Sequence, residues 1–189
     1  MKQINNGFAA CYYLTEKGQV YNEQTKRYLN ADNSHRFQLK TEEGNYKKIH
    51  LKPLYQLVFN KNYCIDTIEN LPGEEWKPIA NTKELYFISN MGRCKSLQGY
   101  EAIILKENYV KGYARVDIVE ESGRSSKLIS RLVAAAFLLP PKSIDCQLHH
   151  KNGKQDNRAE ALEWLTPQEH RELHRKLKNE KEQDKCQEK

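Results

Sequence analysis

Long apolar runs are missing from this 189-residue chain. No stretch approaches the roughly 18 residues a membrane-spanning helix needs, and a mean hydropathy of −0.88 fits a water-facing protein without a membrane partner. The opening residues 1–14 carry one lysine and a broken apolar patch, not the charged and then continuously apolar segments of a secretory leader. The expectation is an intracellular protein. Cysteine pairing is also lacking: Cys11, Cys64, Cys94, Cys146 and Cys186 are odd in number, scattered, and contain no C-x-x-C. That excludes a disulfide framework and a cysteine-ligated zinc, and predicts reduced thiols. Charge of one sign is in only modest excess, +6 overall. Its placement is uneven: ten Lys and Arg stand against nine acidic residues over 1–76, ten against six over 77–140, and eleven against ten over 141–189. The middle segment is therefore the expected contact for a polyanion, and the nearly neutral first segment is expected to pack more than to bind.

What is present begins with an echo. "YYLTEKGQV" (12–20) matches "YFISNMGRC" (86–94), and "KIHLKPLYQLVF" (48–59) lies over "KLISRLVAAAF" (127–137), with Leu54 over Leu132 and Phe59 over Phe137. Each copy reads as an alternating strand, a turn at glycine where positive φ is cheap, further strands and a short helix. In the second copy "YARVDIVEES" and "SGR" predict a hairpin, and "SRLVAAAFL" a helix that Pro140 and Pro141 stop. "NLPGEEWKP" (70–78) has the turn residues of a boundary.

Beyond Pro141 the pattern changes to strand "SIDCQLHH", polar loop "KNGKQDNRAE", strand "ALEWLT", and a helix opened by Pro167 with Thr166 as its N-cap. Leu162 and Trp164 alternate with Glu163 and are expected to hold that helix against the hairpin. Four of the six histidines, His149, His150, His170 and His174, fall here. His170 and His174 share a helix face and can bind one metal ion, whereas His149 and His150 point to opposite faces of a strand, so one of them joins the helix pair. Three imidazoles with an open position make a metal centre that does chemistry, and a fourth, unligated histidine can take a proton from water. Imidazole suits zinc and other transition ions, while Mg²⁺ prefers more oxygen. A purely structural zinc site built on His149, His170 and His174 is the rival reading of the same residues.

Residues 146–174, "CQLHHKNGKQDNRAEALEWLTPQEHRELH", resemble the HNH nuclease motif with its ββα-metal fold. Residues 75–139 resemble the fourth type of nuclease-associated modular domain, which precedes that motif in phage-type HNH homing endonucleases. The resemblance covers about 100 residues and rests on "EW.PI", "Y.ISN.GR..SL", "RLVA..F" and "HHK.G...DNR.E.LEW.T" in the family's order. Together with the echo, which makes the N-terminal β-rich module (1–70) a degenerate copy of the next, it gives an α+β chain with a modular DNA-binding domain (71–140), a ββα HNH unit (141–178) and a charged tail (179–189). It also implies a metal-dependent endonuclease of a bacterial or phage-infected cell that hydrolyses phosphodiester bonds of double-stranded DNA and nicks one strand. His150 matches the general base, His149 and His170 the metal ligands, and His174 a further helix histidine. The ion implied is Mg²⁺ or Mn²⁺, with Zn²⁺ the alternative, and no small-molecule cofactor is called for. The chain departs from the pattern at Ala161, where the family places the asparagine that fixes the loop and the base. Asn157 or Asp156 is the candidate substitute, and a DNA-binding protein with an inactive centre is the alternative function. Candidate DNA contacts are Arg93, Lys95, Lys106, Lys111, Arg115, Arg124, Lys127 and Arg131 in the middle segment, and Lys151, Lys154, Arg158, Arg171 and Arg175 around the histidines.

Overall fold

A computed structural model of the chain describes residues 1–5, 7–173, 175 and 176. It divides into two compact units: residues 1–67 with 97–102, and residues 68–96 with the chain from 103 onward.

In the first unit β1 (Lys2–Gln3), β2 (Tyr12–Leu14), β3 (Val20–Asn22) and β4 (Arg27–Leu29) form an antiparallel sheet in chain order. A hairpin of β5 (Arg36–Lys40) and β6 (Tyr46–His50) leads directly into helix α1 (Leu51–Phe59). Alternation drives the hairpin: Phe37 and Leu39 turn into the core, while Gln38 and Lys40 face water. The helix buries Leu51, Leu54 and Tyr55 at the three-to-four spacing of one face. It ends at Asn60, whose φ of 56° gives the left-handed cap that asparagine tolerates. Segment 97–102 belongs to this unit through Tyr100, which stacks on His35 at 4.2 Å.

In the second unit β7 (Trp76–Pro78), β8 (Tyr86–Ser89), β9 (Cys94–Ser96) and β10 (Ile103–Ile104) form a sheet in the order β10-β9-β8-β7. A second sheet holds β11 (Asn108–Val110), β12 (Tyr113–Glu120) and β13 (Gly123–Leu128), followed by helix α2 (Ile129–Phe137). Ala114, Val116 and Ile118 of β12 are buried and pack with Tyr86, Ile88, Cys94, Ile129 and Val133. The helix stops at Phe137, three residues before the proline pair, because a residue preceding proline leaves helical geometry. A last hairpin, β14 (Gln147–His150) with β15 (Leu162–Leu165), sends Leu162 into this same core. A 3₁₀ turn (Ala159–Ala161) precedes β15, and a helix α3 follows over 167–173.

The α+β class holds, and so do the "YARVDIVEES" hairpin and the helix ahead of Pro140. The strand expected over "SIDCQLHH" is shorter, only Gln147–His150, because the Cys146 N–H turns back to the Ser143 carbonyl at 3.2 Å. Likewise Ala161 lies in the 3₁₀ turn rather than in the second strand.

The two units share a local hydrogen-bond pattern. In the first, the Gly18 N–H donates to the Thr15 carbonyl (3.0 Å) and the Gln19 N–H to Thr15 Oγ1 (3.0 Å); in the second, Gly92 donates to the Ser89 carbonyl (3.1 Å) and the Arg93 N–H to Ser89 Oγ (3.0 Å). Both glycines have positive φ, +75° and +82°. Each helix has nine residues and follows the last residue of a hairpin strand, His50 or Leu128, held at φ −70°.

Cys94 is 2% exposed, and burial pushes its thiol up to about 12 from 9.0. A raised folded-state value means that this thiol's contribution to stability is complete below pH 9 and is lost as pH rises from 9 toward 12. Iodoacetamide at pH 8 is expected to label half-buried Cys146 and spare Cys94 until the protein unfolds. Labelling of both at equal rates, read by peptide mass, would contradict the closed core.

Candidate functional site

The β14–β15 register, His149 opposite Glu163 and His150 opposite Leu162, puts the two adjacent histidines on opposite faces of a two-stranded ribbon. His149 is buried, and its ring lies 5.6 Å from that of His170, centroid to centroid, at 80°. His170 is delivered by α3, whose start the local sequence dictates. Pro167 takes the first helical position, where its missing N–H costs nothing. Thr166 Oγ1 accepts the Glu169 N–H at 3.2 Å, and the Glu169 carboxylate accepts the Thr166 N–H at 2.7 Å, a reciprocal cap. Those bonds hold the Glu169 carboxyl below its ordinary value. Among the described residues no third His, Cys, Asp or Glu completes a metal-binding group with this pair. His174 lies outside the described residues.

His150 faces the other way. Its ring lies 5.6 Å from that of Tyr113, at the start of β12, and its Nε2 is buried with no hydrogen-bond partner among the described residues. Burial lowers its pKa from 6.5, opposed by a hydrogen bond that the ring donates to the Asn157 side chain and by the charge of Asp156. The imidazole is therefore held toward its neutral form, with one nitrogen open.

The loop between the strands supplies Asn157. Asp156 is the loop's hub: its carboxylate accepts from Asn152 Nδ2 (2.9 Å), Arg158 Nε (2.9 Å) and Arg158 Nη2 (2.7 Å). The Arg158 guanidinium holds the Asp156 carboxyl well below the usual carboxylate range. Asn157, 7% exposed, donates to the Gln155 carbonyl at 3.2 Å and rests against Gly92, while the Ala159 N–H reaches the Asn90 carbonyl at 2.8 Å. Ala161 is 1% exposed; its carbonyl accepts the Lys151 N–H and its own N–H donates to the Arg158 carbonyl, both at 2.9 Å. Backbone alone thus closes the loop at Ala161, and the side-chain bond to the imidazole comes from Asn157.

Tyr113 and Gly92 are neighbours of the site that the sequence did not disclose. Gly92 was legible only as a turn glycine, and nothing local marks Tyr113 as facing a residue in a distant hairpin.

Many of the candidate DNA contacts are committed to internal partners. Arg93 bonds Glu74 at 2.9 and 2.7 Å, and buried Lys95 lies over the Trp76 ring at 4.4 Å. Lys127 pairs with Glu120 (2.8 Å), Arg124 with Asp117 (3.8 Å), and Arg158 with Asp156 and Glu160. Arg131 lies over Trp164, and Lys154 over Tyr113. Arg115 donates to the Ser126 carbonyl, and Lys151 to that of Glu160. Lys106, Lys111, Arg171 and Arg175 have no ion pair among the described residues, and all four are exposed.

Against known proteins, the family model of the NUMOD4 motif matches residues 74–119. The chain is 35% identical over 100 residues to an uncharacterized HNH endonuclease, L247, of Acanthamoeba polyphaga mimivirus; the match takes in 51% of this chain and 25% of that protein. The chain thus spans about a quarter of that relative's length. Among solved structures it is similar to the HNH homing endonuclease I-HmuI, described by its DNA binding and cleavage, with a TM-score of 0.49 and 24% identity over 60% of this chain and 66% of that one. The NUMOD4 match and the viral relative bear out the resemblance read from the sequence.

Proposed function

We propose that the chain is a metal-dependent DNA endonuclease of homing type that hydrolyses phosphodiester bonds and nicks one strand of a duplex. The observation that carries the reading is one hairpin presenting two imidazole functions on opposite faces: His149 beside His170, and His150 held toward its neutral form by burial, bonded to Asn157 and with Nε2 unpartnered among the described residues. His149 and His170 fit a divalent cation, since two imidazoles converge at 5.6 Å, and would hold it together with oxygen ligands; His174 is the candidate third. Such an ion supplies positive charge against the phosphate oxygens and the departing 3′ oxygen. His150 takes the proton of the attacking water at its open nitrogen. Asn157 keeps the ring in place, and Lys151, Lys154, Arg171 and Arg175 are the proposed phosphate contacts. The modular organisation, 1–70 and 71–140 gripping DNA and 141–178 cutting it, completes the reading.

Supercoiled plasmid tests this directly, on the chain as it stands and on Ala161→Asn, with Mg²⁺, Mn²⁺, Zn²⁺ or EDTA. Because Asn157 already bonds His150, the chain as it stands is expected to nick with Mg²⁺ or Mn²⁺, and Ala161→Asn to change the rate less than about tenfold, the worth of about one hydrogen bond. If neither form cuts under any metal, the reading of an inactive centre on a DNA-binding protein takes its place. Nicking only by the Asn form assigns the defect to Ala161.

A further inference from the structure

We infer that the β5–β6 hairpin of the first unit is a second DNA-contacting face, one that grips the phosphate backbone; this rests on DNA being the substrate. The hairpins of the two units share one strand register. Arg36 lies opposite His50, the residue before α1, as Arg115 lies opposite Leu128, the residue before α2. Counting outward from those pairs, Phe37 and Leu39 take the places of Val116 and Ile118, all four buried. The outward faces then correspond position by position. The second unit shows Asp117 opposite Ser126 and Val119 opposite Arg124; the first shows Gln38 opposite Lys48 and Lys40 opposite Tyr46.

The chemistry of the two faces differs in one respect that decides the matter. In the second unit Asp117 lies 3.8 Å from Arg124 and compensates it. In the first, the place of that aspartate is taken by neutral Gln38 and the serine's by Lys48, so Lys40 and Lys48 sit diagonally on one face with no ion pair among the described residues. Tyr46, 66% exposed, stands beside the two lysines with its ring uncovered, while Lys47, opposite Leu39, belongs to the other face of the ribbon. Arg36 at the inner end is neutralised by Asp32 at 2.9 Å. Glu42 and Glu43 are confined to the turn beyond the strands, so the strand face itself carries only positive charge.

The unit's overall balance agrees. Over 1–67 with 97–102 there are ten Lys and Arg against seven Asp and Glu, an excess of three. The nearly neutral first segment of the sequence reading came from a boundary at residue 76, which added Glu69, Glu74 and Glu75; all three belong to the second unit. Unpaired lysines on a flat, solvated ribbon give up condensed counterions from DNA on contact, which is a sequence-independent, salt-sensitive attraction.

The test is binding of the full chain, in EDTA to prevent cutting, to a fluorescent duplex of about 30 base pairs across KCl concentrations. Each lost phosphate contact lowers the slope of log K against log salt by about 0.9. Lys40→Gln with Lys48→Gln is therefore expected to reduce the slope by about 2 and to weaken binding about tenfold or more at low salt. Lys61→Gln with Lys83→Gln, exposed lysines outside this hairpin, controls for net charge and is expected to leave the slope unchanged. If the wild-type chain binds and the double variant keeps its slope, or the control loses as much, the assignment falls while the nuclease reading stands. A wild-type chain with no affinity for duplex at any salt overturns both.

Discussion

His150→Ala is expected to lower single-turnover strand cleavage by about 10³-fold, within the range of 10²–10⁴ that a positioned general base contributes, and to leave duplex affinity within about twofold. The asymmetry follows from where the imidazole sits. Its Nε2 has no partner among the described residues, so no bond there is lost with it, and burial, by lowering its pKa below 6.5, keeps the ring largely uncharged at pH 7. His149→Ala and His170→Ala remove something different. They weaken a ligand pair, so their deficit is expected to shrink as Mn²⁺ is raised, whereas that of His150→Ala is not. A His150→Ala chain that nicks at the wild-type rate, or is rescued by added metal, would remove His150 from the role of base. The pH profile carries the same sign: burial lowers the His150 pKa, so the neutral form, and with it cleavage, persists below pH 6.5.

Much of this arrangement was legible because it is local. The N-cap at Thr166 with Glu169 three positions on, the alternation that sends Val116 and Ile118 inward, and the proline stop after α2 are short-range rules. The histidine pairing was half legible. Strand alternation required His149 and His150 to diverge, yet only the tertiary fold decides which of them meets His170. Charge was the least legible level. A count of lysines and arginines marked the middle segment as the grip, but Arg93, Lys95 and Lys127 there are absorbed by Glu74, Trp76 and Glu120. Pairing depends on neighbours across strands, and net charge over a window does not see it. Ala161 was read in part. Its missing amide was legible, with Asn157 and Asp156 as the two candidate substitutes, but which of them bonds the imidazole is decided by the fold.

Gly92→Ala should damage the same centre from the opposite side of the loop. At φ +82° an alanine bears the left-handed penalty of about 1–2 kcal/mol. Its Cβ would stand 3.0 Å from Asn157 Cβ and 3.3 Å from the Asn157 carbonyl oxygen, closer than ordinary contact. Asn157 has little freedom to give, because Asp156 and Arg158 clamp the chain on either side of it and its own amide is tied to Gln155. Displacement therefore falls on the hydrogen bond to His150. The expected result is a loss of about 2–3 kcal/mol in stability, in the usual range for strain with overpacking. Cleavage is expected to fall by about tenfold, the worth of about one hydrogen bond. Gly123→Ala separates the two causes. Its φ is +118° with nothing within 4 Å of the added Cβ, so it carries strain without a clash and should leave cleavage untouched. On an Asn157→Ala background, where the bond to His150 is already gone, Gly92→Ala should add nothing to the cleavage deficit while still costing stability. Equal cleavage by Gly92→Ala and Gly123→Ala would show that Asn157 does not position the base.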